Sequence, residues 1–368
     1  MQASARRGRP LIWRVRRKPR VEEPSLADSP VIELMRARQA AGSKPGARQD
    51  AYRLAVVIEG GGMRGVVAGG MVSALEVLGL LDTIDAVYGT SAGACAGAYL
   101  LAGQALDGTR IFYEDINNKA FLRFGRALIG RPVMNTDYLI DNVIGEIRAL
   151  DAERVIASPI PLVMMATDVA TGAAVGLRGF RNRAAVLNSL RASTRLPMVG
   201  GRPVPGADGR LLVDGALSAP IPVALAAAEG ATHLLVLSTR PDVSGLDGGP
   251  SRSWFARLLA RRVSPAVAAA YLARPQLYLK LAASLLDAHL PGPGNPHLAV
   301  IRPARPLREI GKVERRRVRL LRGASAGWSA IATLFGDETD SPFADLPPLR
   351  LRQRMRMGIP LYGRRRQE

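Results

Sequence analysis

The first regular pattern of apolar positions begins at Leu54, where the run LAVVIE has the length and continuous apolar character of a buried parallel strand. The segment VVAGGMVSALEVLG then repeats apolar side chains on one helical face, at Val67, Met71, Ala74, Leu75 and Leu78. A second short strand, AVYGT, precedes a helix of small residues, AGACAGAYLLAGQAL. Strands that alternate with helices at this spacing predict an α/β fold with a mainly parallel sheet.

The later part of the chain continues this alternation. The segment IPLVMMATDVATGAAV predicts a strand, a turn at Thr171-Gly172 and a returning strand, and HLLVLSTR predicts another buried strand. A long helical stretch follows, from Trp254 to Leu290, which we expect Pro265 and Pro275 to interrupt. The segment HLAVIRP predicts a last edge strand, and terminal helices follow it.

These patterns divide the chain into a main domain and its flanks. We expect a basic N-terminal tail with a short helix at residues 1–52, a catalytic domain at 53–303, a helical cover or lid within it at 254–290, a C-terminal helical extension packed on the core at 304–345, and an Arg-rich tail at 346–368.

The charge is concentrated in the two tails. The formal net charge is +20, and residues 1–20 and 346–368 together carry 14 of these charges. Such tails are typical of solvated segments, and the alternative is contact with anionic lipid headgroups or with nucleic acid. Of these alternatives, we expect peripheral contact with an anionic membrane through the Arg-rich tails, and we expect no nucleic acid partner.

The expected compartment is the cytoplasm, with peripheral attachment at the inner face of the membrane as an extension. Cys95 is the only cysteine, which excludes an internal disulfide and fits a reducing compartment. The basic N-terminus is not followed by an apolar segment of signal-peptide length. No apolar run reaches the roughly 18 residues of a spanning helix.

The glycine loop after the first strand has two interpretations. Gly60, Gly62 and Gly65 satisfy the G-x-G-x-x-G pattern of a dinucleotide-binding turn, which also requires an acid near the end of the second strand. Asp82 and Asp85 precede that strand instead. The residue that follows it is a serine, so the loop is better suited to another negative charge.

That serine, Ser91, lies in the pentapeptide GTSAG between a strand and a helix. G-x-S-x-G in this setting predicts a nucleophile elbow, whose sharp turn lifts the hydroxyl clear of the backbone. A base must take its proton. His233, His289 and His297 leave a histidine triad formally possible, and Asp214 in LLVDGA is the other candidate, because it ends an apolar strand at the sheet edge where catalytic groups collect.

Three short motifs therefore stand in order along the chain: GGGMRG at Gly60–Gly65, GTSAG at Gly89–Gly93 and DGA at Asp214–Ala216. With the block RASTRLP at Arg191–Pro197, the set resembles the patatin-like phospholipase family, and the likeness runs from about Leu54 to Pro303. The resemblance implies a patatin-like three-layer sandwich with a mainly parallel central sheet flanked by helices. It also implies a serine esterase that cleaves lipid acyl esters.

The resemblance also implies the roles of individual residues. Ser91 would be the nucleophile and Asp214 the general base, with no metal and no cofactor. The backbone N–H groups of Gly60, Gly61 and Gly62 would form the oxyanion hole. Supporting positions are Met63, Arg64, Gly65, Gly89, Thr90, Ala92, Gly93, Gly215 and Ala216.

Other functions remain open at this point. An acyl-serine can pass its acyl group to acceptors other than water, so an acyltransferase or a thioesterase would use the same dyad. A non-catalytic lipid-binding protein of the same fold is the alternative from another class. The intact Ser91 and Asp214 favour an enzyme.

Overall fold

The structure is a computed structural model that describes residues 26–241, 251–286, 295–303, 310–337 and 339–344. Its centre is one eight-stranded sheet. The strands are β1 (Leu54–Ile58), β2 (Ala86–Thr90), β3 (Leu162–Asp168), β4 (Ala174–Leu177), β5 (Val204–Pro205), β6 (Leu211–Asp214), β7 (His233–Leu237) and β8 (His297–Ile301).

The sheet combines a parallel core with an antiparallel margin. The order is β5-β6-β3-β2-β1-β7-β8, and β4 pairs with β3 off this path. The neighbours in the run β3-β2-β1-β7-β8 are all parallel, whereas β4, β5 and β6 join by antiparallel pairing. The α/β fold class with a mainly parallel sheet is therefore confirmed, including the edge position of β8.

Ten α-helices surround this sheet in the part of the chain that the structure describes. They are α1 (Pro30–Ala40), α2 (Val66–Val77), α3 (Ala92–Leu101), α4 (Ala105–Arg110), α5 (Ala152–Ala157), α6 (Arg183–Thr194), α7 (Val223–Ala228), α8 (Ser253–Arg262), α9 (Pro265–Leu286) and α10 (Arg317–Ala332). Two π-helical segments, Ile111–Asp115 and Tyr138–Ile147, lie between α4 and α5.

Both faces of the sheet are buried, which explains the uninterrupted apolar runs of β1 and β7. Along β1, Val56 and Ile58 join the core formed with α2, α3 and α10. The alternate residues Ala55 and Val57 join a second core formed with α7 and α9. Helices therefore cover each face, and the three layers expected from the family resemblance are present.

The N-terminal helix α1 is part of the folded domain. Its residues Val31, Ile32 and Met35 are fully buried, and Arg38 is buried among polar partners. The segment expected to be a tail with a short helix thus contributes to the core from α1 onward. The basic stretch of residues 1–20 and the Arg-rich stretch of 346–368 lie outside the described residues.

The two prolines of the long helical stretch behave differently. Pro265 begins α9, as the sequence indicated, but Pro275 lies inside that helix, so the predicted interruption there was wrong. Tyr271 and Tyr278, on either side of Pro275, are both buried against the core. Tertiary packing of these large side chains offsets the hydrogen bond that a proline removes from a helix.

Candidate active site

Ser91 occupies a strained turn between β2 and α3. Its backbone has φ 56° and ψ −122°, a conformation that non-glycine residues rarely adopt. The turn is tight because α3 runs close to the end of β1: a Cβ on Gly93 would lie 2.4 Å from the carbonyl oxygen of Ile58. Such strain persists only where the surroundings fix it, and it lifts the serine side chain clear of the sheet.

The Ser91 hydroxyl donates a hydrogen bond to Asp214. The distance from Oγ to Oδ2 is 2.8 Å, and Ser91 and Asp214 are only 8% and 1% exposed. The other carboxylate oxygen, Oδ1, accepts a hydrogen bond of 2.8 Å from the N–H of Ala216. The structure thus brings together the two side chains that the sequence motifs singled out.

Strand β3 sets the relative positions of these two residues. Consecutive residues of β3 pair with each side of the site: Met165 with Thr90, and Ala166 with Asp214. Ser193 on α6 closes the arrangement, since its Oγ accepts from the N–H of Ser91 at 2.9 Å and donates to the carbonyl of Met165 at 2.6 Å.

Backbone and hydroxyl contacts also hold Asp214 from its own side. Its N–H donates to the carbonyl of Arg195 at 2.9 Å, and its carbonyl accepts from the hydroxyl of Thr167 at 2.9 Å. Ser193 and Arg195 both come from the block RASTRLP, which drew attention in the sequence without a role for any member. Thr167 had no assigned role either, because the pairing of distant strands is not visible in a local motif.

The glycine loop lies directly against Ser91. A Cβ on Gly60 would be 3.2 Å from the Cβ of Ser91. Within the described residues, the N–H groups of Gly60, Gly61 and Gly62 donate to no protein acceptor, whereas that of Met63 donates to the carbonyl of Lys312 at 3.1 Å. The loop that contacts Ser91 through Gly60 therefore carries three backbone donors with no acceptor among the described residues.

Gly62 and Lys312 show how this loop is held. Gly62 has φ +58°, and a Cβ there would lie 2.8 Å from the carbonyl oxygen of Lys312. Only glycine meets both the positive φ and the close approach. The segment before α10 thus supports the loop through its backbone, a contribution that the sequence motifs did not reveal.

Arg64 is buried and braces the base of the loop. Its Nε donates to the hydroxyl of Thr239 at 2.9 Å, and its Nη2 lies 3.5 Å from Oε1 of Glu59. Glu59 also accepts from the hydroxyl of Ser238 and from the N–H of Thr239, at 2.9 and 2.7 Å. This buried polar network ties the ends of β1 and β7 together behind the glycines.

The remaining residues of the three motifs surround the Ser91–Asp214 bond. Gly65 lies against the start of α3, since a Cβ there would be 2.5 Å from the Cβ of Ala92. Gly89 and Thr90 complete β2, and the Thr90 hydroxyl donates to the carbonyl of Ala219 at 2.7 Å. Gly215 begins the short turn that follows β6.

The electrostatics of the site make Asp214 an unusual carboxyl group. Burial raises the pKa of Asp214 from 3.8 to about 6, and hydrogen bonds from Ala216 and Ser91 and the charge of Lys312 oppose that rise. The pKa of Lys312 is lowered to about 8 by burial and by the neighbouring Arg274, Arg64 and Arg240. One cation, Lys312, therefore acts on a carboxyl group whose pKa is close to neutral pH.

A largely apolar cavity begins at Ser91. Its accessible volume is about 60 Å³. Its lining includes Met63, Cys95, Phe112, Phe121, Met134 and Leu139. Cys95 is buried, and burial raises the pKa of its thiol to about 12, which fits a packing residue.

The two described histidines lie at the opposite edge of the sheet from Ser91. His233 and His297 are the first residues of β7 and β8 and pair with each other, whereas Ser91 follows the last residue of β2. His233 also pairs with Leu54, at the beginning of β1. The geometry therefore separates both from the Ser91 hydroxyl, and His289 lies outside the described residues.

The described residues contain no group of three or more His, Cys, Asp or Glu side chains arranged to hold a metal ion. None of the described helices combines the length and the apolar character needed to cross a bilayer.

The part of the chain that carries this site is similar to known proteins. Residues 56–227 match the protein-family model described as patatin-like phospholipase, in agreement with the resemblance of the motifs. An uncharacterized NTE family protein of Mycobacterium tuberculosis and one of Mycobacterium bovis are each 28% identical to the chain over 202 residues. The match covers 54% of this chain and 51% of each relative, so it spans about half the length of these proteins.

Two solved structures are also similar to this chain. VipD from Legionella pneumophila aligns with a TM-score of 0.40 and 12% identity, over 80% of this chain and 69% of VipD. Human GIVD cytosolic phospholipase A2, in complex with methyl gamma-linolenyl fluorophosphonate, aligns with a TM-score of 0.42 and 12% identity. That alignment covers 84% of this chain and 62% of the human chain.

Proposed function

Because residues 56–227 form a patatin-like phospholipase domain, we propose that the protein is a serine acyl hydrolase that cleaves fatty-acyl esters of lipids through a Ser–Asp dyad. One observation carries the proposal: the 2.8 Å hydrogen bond from the Ser91 hydroxyl to Asp214, in a strained turn against a loop with three backbone N–H groups that have no acceptor among the described residues. A nucleophile, a base and donors for an anion are the parts that acyl transfer needs.

The first half of the reaction forms an acyl-serine. Ser91 Oγ attacks the ester carbonyl carbon while its proton passes to Asp214, whose raised pKa makes the carboxylate a better base than an ordinary aspartate. The tetrahedral intermediate collapses, the bond from carbon to the leaving oxygen breaks, and that oxygen takes the proton from Asp214. An alcohol or lysolipid departs, and the acyl group remains on Ser91.

The second half restores the enzyme. Asp214 takes a proton from a water molecule, which attacks the acyl-serine carbonyl. The resulting intermediate releases the fatty acid, and the proton returns from Asp214 to Ser91 Oγ. The same carboxyl group thus serves each half of the cycle, first as base and then as acid.

The glycine loop would stabilise the negative oxygen formed in both halves. The N–H groups of Gly60, Gly61 and Gly62 have no protein acceptor among the described residues, and their loop contacts Ser91 through Gly60. Donors fixed in advance cost no reorganisation during the reaction, and removing one such donor typically costs about 2.7–4 kcal/mol. Arg64 would contribute indirectly, since its contacts hold the loop.

The surroundings of the dyad favour a lipid substrate. The cavity that begins at Ser91 is lined almost entirely by apolar side chains, which suit a fatty-acyl chain better than a polar group. The positive charge of Lys312, which acts on Asp214, favours a substrate with an anionic group at the other end of the ester. We therefore expect the acyl chain to occupy the cavity and the leaving group to face Lys312.

The test compares wild type, Ser91→Ala and Asp214→Asn on a short-chain aryl ester and on phospholipid vesicles. We expect both substitutions to abolish measurable turnover, and a fluorophosphonate probe to label wild type but not Ser91→Ala. Cys95→Ser is the matched control for a general disturbance of α3, and it should still be labelled at Ser91. Equal hydrolysis by wild type and both dyad variants would contradict the mechanism.

A further inference from the structure

Three large apolar side chains are exposed together on one short turn far along the chain from the dyad. Residues 123–131, which we call the tip, include a 3-10 helix at Phe124–Ile129. Within it, Phe124 is 62% exposed, Leu128 90% and Ile129 67%. Single exposed apolar residues are ordinary on protein surfaces, but three of them on one short helix indicate a surface that a membrane or a partner protein covers.

The tip is held out by an ordered stem. Leu122 and Met134 form an antiparallel bridge, and the N–H of Arg123 donates to the carbonyl of Val133 at 2.9 Å. The Arg126 guanidinium donates to the carbonyl of Ala120 at 3.0 Å, which folds the turn back on its own stem. The apolar side chains are therefore presented in one arrangement, which lowers the entropy lost on binding.

The charge around the tip has one sign. Residues 116–136 contain Lys119, Arg123, Arg126 and Arg131 and no acidic residue. Among the described residues, none of these four side chains forms an ion pair with an acid. Exposed apolar groups surrounded by uncompensated basic groups match the interface of an anionic bilayer, where basic side chains meet headgroups and apolar ones reach the acyl region.

The stem of the tip is continuous with the candidate active site. Phe121 and Met134, at its two ends, line the cavity that begins at Ser91, and so does Thr136. A bilayer in contact with the tip would therefore lie at the wall of the cavity that we assign to the acyl chain. This connection distinguishes the tip from other exposed apolar residues, such as Val77 and Val318, which do not line the cavity.

We propose that residues 123–131 dock the protein on an anionic membrane by inserting Phe124, Leu128 and Ile129 between its lipids. The docking itself does not depend on the dyad mechanism. Its consequence for catalysis rests on the proposed function: docking brings lipid to the cavity, so it should matter for substrate in a bilayer and not for a dissolved ester.

The first experiment measures binding of the full chain to vesicles of phosphatidylcholine with and without phosphatidylglycerol. Leu128→Ser/Ile129→Ser should weaken partitioning into the anionic vesicles by about a hundredfold or more, because two large apolar side chains no longer enter the bilayer. The matched control is Val318→Ser, an equally apolar residue that is 61% exposed on α10. Its binding should equal that of wild type, and the melting temperature of each variant reports on its folding.

A second experiment follows insertion at a single residue. Leu128→Cys carries an environment-sensitive fluorophore, Val318→Cys is the control, and the native Cys95 is buried with a raised pKa, so it reacts slowly. Emission at residue 128 should rise on addition of anionic vesicles, and emission at residue 318 should not. No change at residue 128 would overturn the proposal, whatever the protein hydrolyses.

Activity separates docking from catalysis. Leu128→Ser/Ile129→Ser should hydrolyse a soluble aryl ester at the wild-type rate and vesicle phospholipid several-fold more slowly. If neither protein hydrolyses any ester, the proposed function fails while the binding and fluorescence results still decide the docking. Vesicle binding that needs Arg123 and Arg131 but not Leu128 or Ile129 would contradict insertion and indicate purely electrostatic contact with the lipid headgroups.

Discussion

Buried charges lie at both ends of the parallel strands, which we call the amino edge and the carboxyl edge of the sheet, but they are compensated in different ways. At the amino edge, Arg38 is surrounded by Asp50 and Asp85, each 2.7 Å away. At the carboxyl edge, Asp214 is buried with a serine and a backbone N–H as its hydrogen-bond donors. One edge compensates its charge by direct ion pairs, and the other leaves a carboxylate without a bonded cation.

The pKa shifts express the same contrast. Hydrogen bonds and ion pairs raise the pKa of Arg38 despite its burial, and the hydrogen bond from Arg38 lowers that of Asp50, so both groups stay charged. Burial raises the pKa of Asp214 to about 6, which brings its proton exchange close to neutral pH. The paired charges at the amino edge thus stabilise the fold, whereas an unpaired carboxylate beside a strained serine is the arrangement expected of a catalytic site.

The sharpest way to test this contrast is Asp214→Asn, which should lower activity and raise stability. Loss of the base should reduce kcat/KM by about a thousandfold or more. At the same time, the folded state no longer holds a buried carboxylate. Above pH 6 we expect the free energy of unfolding to rise by roughly 2–3 kcal/mol, from the shift of the pKa from 3.8 to about 6.

The pH dependence of this gain has a definite sign. The folded wild type binds a proton at Asp214 up to about pH 6, whereas the unfolded chain releases it near 3.8, so wild-type stability falls between these values as pH rises. The advantage of Asp214→Asn should therefore vanish near pH 3.8 and reach its full size above pH 6. Urea unfolding at a series of pH values measures it, and a variant less stable than wild type throughout would contradict the contrast.

The corresponding change at the amino edge is Arg38→Met, which should affect stability and spare catalysis. Arg38 donates to Asp50, Asp85 and two carbonyl groups, so its loss leaves buried acceptors without a donor. Removing one partner of such a pair costs about 3–5 kcal/mol. Chemical unfolding should show this loss, and kcat/KM per folded molecule should remain that of wild type.

Arg210→Met is the matched control for that prediction. Arg210 also pairs with an aspartate, Asp208, but both side chains are about half exposed. Exposed ion pairs contribute little to stability, because water screens both charges. Similar losses for Arg38→Met and Arg210→Met would mean that the amino edge is not held by its charges.

A smaller effect is expected at Ser193, which positions the carboxyl edge without entering the chemistry. Ser193→Ala removes the acceptor for the Ser91 N–H and the donor to Met165, so the strained turn loses its link to β3. We expect kcat/KM on a soluble ester to fall about tenfold to a hundredfold, because small displacements of a nucleophile are costly.

A second buried serine, Ser73, provides a control that separates the loss of a positioned nucleophile from a loss of stability. Ser73 on α2 is fully buried and hydrogen-bonded to the hydroxyl of Thr109 at 3.1 Å. Ser73→Ala and Ser193→Ala should each lower the free energy of unfolding by about 1 kcal/mol, because each removes a buried hydrogen bond, but Ser73→Ala should change kcat/KM little. If the two variants lose activity equally, Ser193 has no special role at the dyad.

Much of this organisation could be predicted from the sequence, because its causes are local. Strands buried on both faces are uninterrupted apolar runs, as in LAVVIE and HLLVLSTR. The elbow needs small residues around Ser91, and the short motif DGA singled out Asp214, although β6 is antiparallel to β3, so the end of β6 is not a carboxyl end of the parallel strands. These features depend on neighbours within a few positions.

The rest depends on which distant segments meet. The carbonyl of Lys312 holds the glycine loop, and the hydroxyl of Ser193 links Ser91 to β3, across separations that no local pattern encodes. Pro275 shows the same limit, since local propensity predicted a break that the packing of Tyr271 and Tyr278 overrides. The tip was missed because Phe124 and Leu128 resemble ordinary core residues until their exposure is known.

The smallest expected effect is that of His233→Phe, and it best discriminates between Asp214 and a histidine as the general base. A loss of activity below pH 6 is usually assigned to a histidine, and Asp214 with its pKa of about 6 would produce the same profile. His233 lies at the amino edge against Tyr52 and His297, and burial lowers its pKa to about 4. His233→Phe should therefore leave kcat/KM on a soluble ester and its fall below pH 6 unchanged. A loss of activity, or a profile that no longer falls near pH 6, would assign the base to the histidine and remove the distinction between the two edges.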